Sequence, residues 1–248
     1  MMSNHFLIGG AQRSGTTLLY HLFDQHPEIE MARPVRPEPK YFLRDDAGRG
    51  GVAEYRRKFF GSKAGARVFG EKSTSYMERQ DAAMKAVALL PEVKVVFVLR
   101  DPVERALSNY GFSVVNGAET ASLEDALKYE VRRSEHYDRE RFSVSPFAYL
   151  GRGHYHRFLD RWQAAVGHDR LRILLFEHLI RTPAVIQPLF HWLGVDPRVK
   201  PVLPPSPLNP TTPLDVKPEL RRQMIDHFRE SNRVLEARYG LDLSRWLS

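Results

Sequence analysis

The sequence predicts an α/β fold, a single domain over residues 1–248 with a central parallel sheet and helices on both faces. Three observations predict it. Short apolar runs at 6–10, 93–99 and 171–176 each lead into a stretch of helical periodicity. The run Val93–Leu99 is β-branched and nearly continuously apolar, as a parallel strand covered on both faces requires. No internal repeat and no composition shift breaks the alternation.

In chain order, residues 6–10 read as a buried strand ended by glycine. A helix from Thr16 to about Gln25 puts Leu18, Leu19, Leu22 and Phe23 on one face, and His26-Pro27 stops it. A short strand is expected at Ile29–Met31. Three prolines within Ala32–Lys40 predict a stiff, extended loop that presents its polar groups at fixed positions. Residues 52–60 suggest a helix, Arg67–Gly70 a short strand, and 81–90 a helix. After the 93–99 strand, Pro102 suits the first turn of a helix carrying Arg105, Ser108, Asn109 and Tyr110. Ser122 with Asp125 forms a capping pattern for a helix over 123–134. Helices over 153–166 and 183–193 flank the 171–176 strand, the second ending at Gly194. Residues 201–213 carry six prolines and read as a loop. A last helix follows, with Leu220, Met224, Phe228, Leu235 and Tyr239 at helical spacing.

Composition narrows the function. The 248 residues are 42% hydrophobic and 27% charged, which suits a globular domain. With no cysteine, disulfides, thiol catalysis and thiolate metal sites are excluded. Met1–His5 lacks a basic segment followed by an apolar run, so a cytoplasmic location is expected. No apolar run approaches the ~20 residues that span a bilayer. The net charge of +7 suits an anionic ligand, but the basic residues are scattered and no nucleic-acid-binding module is recognisable.

Ligands of open α/β sheets bind beyond the carboxyl ends of the strands. Three polar clusters fall there: Gln12–Thr17, Glu71–Tyr76 and Arg100–Ser108. A fourth, Glu38 with Lys40, sits on the proline loop. The spacing Gly10-x4-Gly15 before a helix resembles a phosphate-cradling turn, but a nucleoside triphosphatase would carry lysine where this chain has Thr16. The backbone N–H groups and hydroxyls of Gly15, Thr16 and Thr17 would face an anion there, with Arg13 as a forked cation. The alternative is an ordinary helix cap by Ser14 or Thr16. Lys72 either serves the site or pairs with Glu71; Arg100 either binds a second anion with Ser108 or pairs with Asp101. Two anion sites at neighbouring strand ends suggest a nucleotide with phosphates on two ribose positions. His154-x-His156 raises a metal site, but the two residues do not share a helix face, and a structural or acceptor-side role is expected. Trp162 and Trp192 are expected in the core.

These residues resemble the sulfotransferases that use 3′-phosphoadenosine 5′-phosphosulfate, nearest the branch of heparan-sulfate-type and related bacterial enzymes, over about residues 5–195. Gln12-Arg13-Ser14-Gly15-Thr16-Thr17-Leu18-Leu19 is similar to that family's 5′-phosphosulfate loop. Val96 to Tyr110 is similar to its 3′-phosphate motif, in which Arg100 and Ser108 would hold that phosphate. Arg36-Pro37-Glu38-Pro39-Lys40-Tyr41-Phe42 resembles the segment of the catalytic base, here Glu38. Glu71-Lys72-Ser73-Thr74-Ser75-Tyr76 resembles the segment whose lysine, here Lys72, lies near the donor or acceptor. The resemblance implies a three-layer, P-loop-like fold, in-line sulfuryl transfer to a hydroxyl or, second, an amine of a small-molecule or glycan acceptor, and no metal. Cofactor contacts are implied for Gln12, Arg13, Ser14, Gly15, Thr16, Thr17, Leu18, Arg100 and Ser108, and catalytic roles for Glu38, Arg13 and Lys72. Many relatives have lysine at the position of Arg13, and no Lys-Gly-Arg-type loop stands near the C-terminus, where the proline-rich segment lies. The acceptor pocket would be shaped by residues 32–45, 110–120 and 136–156. Two rivals stay open: a magnesium-dependent nucleotide kinase or triphosphatase with a degenerate loop, and a non-catalytic polyanion-binding module.

Overall fold

The computed structural model describes residues 4–206, 208, 209 and 213–247. Five strands, β1 (Asn4–Gly10), β2 (Ile29–Met31), β3 (Val68–Lys72), β4 (Lys94–Leu99) and β5 (Leu171–Leu175), form one sheet in the order β2-β3-β1-β4-β5, and every pairing is parallel. Around them run α1 (Thr16–Asp24), α2 (Gly51–Phe59), α3 (Gln80–Leu89), α4 (Pro102–Val115), α5 (Leu123–Lys128), α6 (Glu130–Glu135), α7 (Tyr155–Val166), α8 (Phe176–Leu179), α9 (Gln187–Leu193) and α10 (Pro218–Tyr239). The expected α/β class, a parallel sheet flanked by helices, is what the chain forms.

The chain divides into two compact units, Met1–Leu99 with Asp160–Leu208 and Arg100–Leu159 with Asn209–Ser248. The first holds the sheet. Alternate residues of its strands (Phe6 and Ile8, Val96 and Val98) pack against Leu19, Leu22 and Phe23 of α1 and Phe190 of α9. Every residue from Val95 to Leu99 is fully buried, as a strand covered on both faces must be. Phe97 meets Trp162 edge-on at 5.6 Å, and Trp162 is buried as expected. Trp192 is not in the core. It is half-buried, with Lys94 and Arg172 over its ring at 5.2 and 5.0 Å. The second unit gathers Val103, Ala106, Leu107, Ala126, Tyr149, Met224 and Phe228 into its own core.

The helix expected over 123–134 is two helices, broken at Tyr129. Ser122 does cap the first, accepting the Asp125 N–H. Glu130 then turns inward, and its carboxylate accepts the N–H groups of Leu150 and Gly151 at 2.6 Å each. The stretch 183–193 begins as a tight single turn at Pro183–Ile186 before α9. Pro188, without an N–H, cannot join a continuous helical ladder. The proline loop is not extended: it bends at Arg33 and across Val35–Pro37. Part of the proline-rich 201–213 segment (207 and 210–212) lies outside the described residues.

Arg100 and Asp101 lead from β4 into α4. Asp101 caps that helix, accepting from Val103 N at 2.8 Å and Glu104 N at 3.3 Å, with Pro102 in the first turn. Asp101→Ala is expected to lower unfolding free energy by about 1 kcal/mol in urea denaturation; an unchanged midpoint would contradict the cap.

Candidate active site

The turn between β1 and α1 is built for close approach. Arg13 (φ 65°) and Gly15 (φ 83°) both adopt left-handed backbone. A Cβ on Gly15 would stand 2.5 Å from Cδ2 of Phe176, so conformation and space both demand glycine. A Cβ on Gly10 would meet Met77 Cβ at 2.8 Å and the Thr74 carbonyl at 3.2 Å, so the turn lies directly against the 74–77 backbone. Hydrogen bonds fix it there: Met77 N to Gly9 O at 2.8 Å, Ser73 N to Ile8 O at 3.1 Å, and Ala11 N to Val98 O at 2.8 Å. Gln12 Nε2 donates to Ser75 Oγ at 3.3 Å.

The first turn of α1, with Thr16, Thr17 and Leu18, directs N–H groups without intrahelical partners out of the helix start. Neither Ser14 nor Thr16 caps that helix; its cap position is Gly15, without a side-chain bond. Ser14 is fully buried and its Oγ has no hydrogen-bond partner. A buried hydroxyl without a partner is costly, and a ligand oxygen would satisfy it. The turn therefore fits an anionic group at a helix N-terminus.

Glu38 and Lys72 meet beside it. Lys72 Nζ lies 2.5 Å from Glu38 Oε1, with the two side chains 3% and 15% exposed. This is a desolvated pair, not a surface contact. Thr74 holds the other side of the carboxylate, its N–H donating to Oε2 at 2.8 Å and its hydroxyl lying 3.0 and 3.1 Å from the two oxygens. Lys72 ends β3, so its neighbour Glu71 points to the opposite face. The pairing of Lys72 with Glu71 weighed from sequence does not form, nor does Glu38 pair with Arg36 or Lys40 in the arrangement around Lys72. The Glu38 loop is fastened at both ends: Ala32 N to Gly70 O and Arg33 N to Phe59 O, both 2.7 Å, then Lys40 N to Ser73 Oγ at 2.8 Å.

Arg100 and Ser108 belong to the second unit. The Arg100 guanidinium lies 3.6 Å from Glu104, and Asp101 caps α4. The Arg100 carbonyl accepts the Tyr155 hydroxyl at 2.8 Å. Ser108 stands on α4, largely buried.

A family pattern described as "Sulfotransferase family" matches residues 6–63 and 52–198. The chain belongs to the sulfotransferase family. It is 30% identical over 202 residues to the mouse bifunctional heparan sulfate N-deacetylase/N-sulfotransferase 4, covering 77% of this chain but 22% of that protein. It is 28% identical over 181 residues to human heparan sulfate glucosamine 3-O-sulfotransferase 3B1, covering 72% of this chain and 42% of that one. The chain thus spans between about a fifth and two fifths of the length of these curated relatives. A crystal structure of a sulfotransferase from Alicyclobacillus acidocaldarius superposes over 100% of both chains with a TM-score of 0.82 at 26% identity.

In this sulfotransferase-family chain the histidines of 154 and 156 diverge. His154 lies before α7 with Nε2 3.1 Å from Nε2 of His227, while His156 Nδ1 is 3.1 Å from Ser231 Oγ. Among the described residues, no three His, Cys, Asp or Glu side chains form a metal-binding group. Sequence reasoning missed Thr74 as the second anchor of Glu38, and Tyr55, Ser73 and Tyr76 around Glu71. The polar run after β3 was the available signal, but only side-chain geometry assigns its partners.

Burial, then Arg157, His227 and His156, lower the His154 pKa to about 4. In the unfolded chain it titrates near 6.5. His154 therefore stays neutral in the fold, and its stabilising effect, complete above pH 6.5, is lost as pH falls toward 4. His154→Phe is expected to flatten the fall in Tm between pH 6.5 and 4; an unaltered profile would contradict this.

Proposed function

We propose that residues 1–248 act as one sulfotransferase domain, moving the sulfuryl group of 3′-phosphoadenosine 5′-phosphosulfate to the hydroxyl, or second the amine, of a small-molecule or glycan acceptor in the cytoplasm. The observation that carries the reading is the desolvated Glu38–Lys72 pair, braced by Thr74, whose own carbonyl abuts Gly10 of the anion-binding turn. A carboxylate and a lysine beside a phosphate-type cradle are what acyl- or sulfuryl-like group transfer needs: a base for the attacking oxygen and a cation for the leaving one. Family membership supplies the donor class.

When bound, the donor supplies an electrophilic sulfur on a phosphate leaving group. Glu38 accepts the proton of the acceptor hydroxyl as that oxygen bonds to sulfur. The sulfur–oxygen bond to phosphate breaks, and its electron pair stays on the phosphate. Arg13, the N–H groups of Gly15 to Leu18, and the hydroxyls of Ser14, Thr16 and Thr17 counter the charge growing there, with Lys72 the second cation. Gln12 holds the turn through Ser75. Arg100 and Ser108 are assigned to the 3′-phosphate. Glu38 and Lys72 neutralise one another in the ligand-free chain, so the acid–base pair is present before any substrate arrives.

Titration with 3′-phosphoadenosine 5′-phosphate is expected to raise Tm more than ADP or ATP, with and without a chelator. Equal or greater stabilisation by ATP with magnesium would favour the kinase reading. Glu38→Gln is expected to keep this binding and lose turnover; surviving turnover would place the base elsewhere.

A further inference from the structure

Glu71 takes no part in the chemistry above, yet three side-chain hydroxyls hold it. It is fully buried on the face of β3 opposite Lys72. Three hydroxyls surround its carboxylate: Tyr55 at 2.6 Å on Oε2, and Ser73 at 2.7 Å and Tyr76 at 2.5 Å on Oε1. Two of these have their polarity fixed from outside. Ser73 Oγ accepts the N–H of Lys40 at 2.8 Å, and the Tyr76 hydroxyl accepts the N–H of Phe42 at 3.0 Å. A backbone N–H only donates, so each hydroxyl sends its single hydrogen to Glu71. The carboxylate thus terminates two relays that start in the backbone of 40–42, immediately after Glu38. Tyr41 and Phe42 reinforce the seat, their rings packing at a tilt against Tyr55 with centroids 4.8 and 5.6 Å away.

We propose that Glu71 is a positioning residue for the Glu38 base: through Ser73 and Tyr76 it anchors the chain segment that carries Glu38 onto the strand that carries Lys72. The proposal rests on the sulfotransferase reading for its kinetic consequence, but the anchoring itself does not. Without the relays, Lys40 and Phe42 lose their hydrogen-bond acceptors, and Glu38 is held only by Lys72 and Thr74. A displacement of about 1 Å at a reacting group costs up to roughly a hundredfold in rate.

The test uses the full chain with Ser73→Ala, Tyr76→Phe, Glu71→Leu and Glu71→Gln. Gln keeps one carboxamide oxygen where Oε1 accepts both relays, so it serves as the conservative rescue. Release of 3′-phosphoadenosine 5′-phosphate from the donor is followed at saturating donor, against a panel of glycan and phenol acceptors. In Ser73→Ala and Tyr76→Phe, kcat is expected to fall at least tenfold while the Kd for 3′-phosphoadenosine 5′-phosphate stays within twofold. Glu71→Gln, which keeps the acceptor of both relays, is expected to hold kcat within threefold of wild type. Wild-type kcat in both relay variants, or a loss of donor-product binding equal to the loss of kcat, would overturn the proposal. Should Glu71→Leu fail to fold, the relay variants carry the test. Should the wild-type chain neither bind nor turn over the donor, the functional reading fails and amide exchange of residues 38–43 decides the anchoring alone. Exchange is then expected to quicken in the relay variants and stay near wild type in Glu71→Gln; unchanged exchange in the relay variants would overturn it.

Discussion

Glu38 and Lys72 are charged, almost wholly withdrawn from water, and 2.5 Å apart. Such a pair survives only where the surrounding structure satisfies both partners, since a half-made buried pair costs about 3–5 kcal/mol. Much of the first unit serves that end. The parallel sheet brings β3 next to β1, so Lys72 and the glycine turn emerge at neighbouring strand ends. The loop after β2 is fastened to β3 and α2 at its start and to Ser73 at its end. Thr74 then grips the far side of the carboxylate. The proposed base, on a surface loop, is thereby held on three sides by the strand and the residues that follow it.

The anion-binding turn follows a related economy. No lysine stands at position 16. The turn relies instead on the start of α1, with Arg13 held in left-handed backbone beside it. In the proposed reaction, distributed backbone donors would suit a leaving phosphate whose charge grows, because they need no reorganisation at that moment. The buried, unpartnered hydroxyl of Ser14 belongs to the same design.

The fold was legible where burial imposes a pattern. Strands β1 and β4 are apolar because both faces are covered, and α1 and α10 show the 3.6-residue stripe of a helix with one face in a core. Glycine and proline marked the ends of α9 and the start of α4. What the pattern hid was set by single polar residues. Glu130 turns inward and splits the helix expected over 123–134, and a four-residue helix such as α8 is too short to carry a period. The site was half legible. The polar runs at the strand ends were visible, yet Lys72 lies beside Glu71 in sequence and pairs with Glu38, 34 residues earlier. Strand alternation separates neighbours that proximity in sequence would join. The proline loop showed where a rigid presenter lay, but not its bends or its anchoring on Ser73.

The most direct measurement follows the sulfur itself. The chain is incubated with donor labelled in its sulfuryl group and a panel of glycan and phenol acceptors, and the label is traced. The account predicts label on an acceptor in equal amount to the 3′-phosphoadenosine 5′-phosphate released. Label that stays on the donor with every acceptor, in a chain that binds 3′-phosphoadenosine 5′-phosphate, would contradict it.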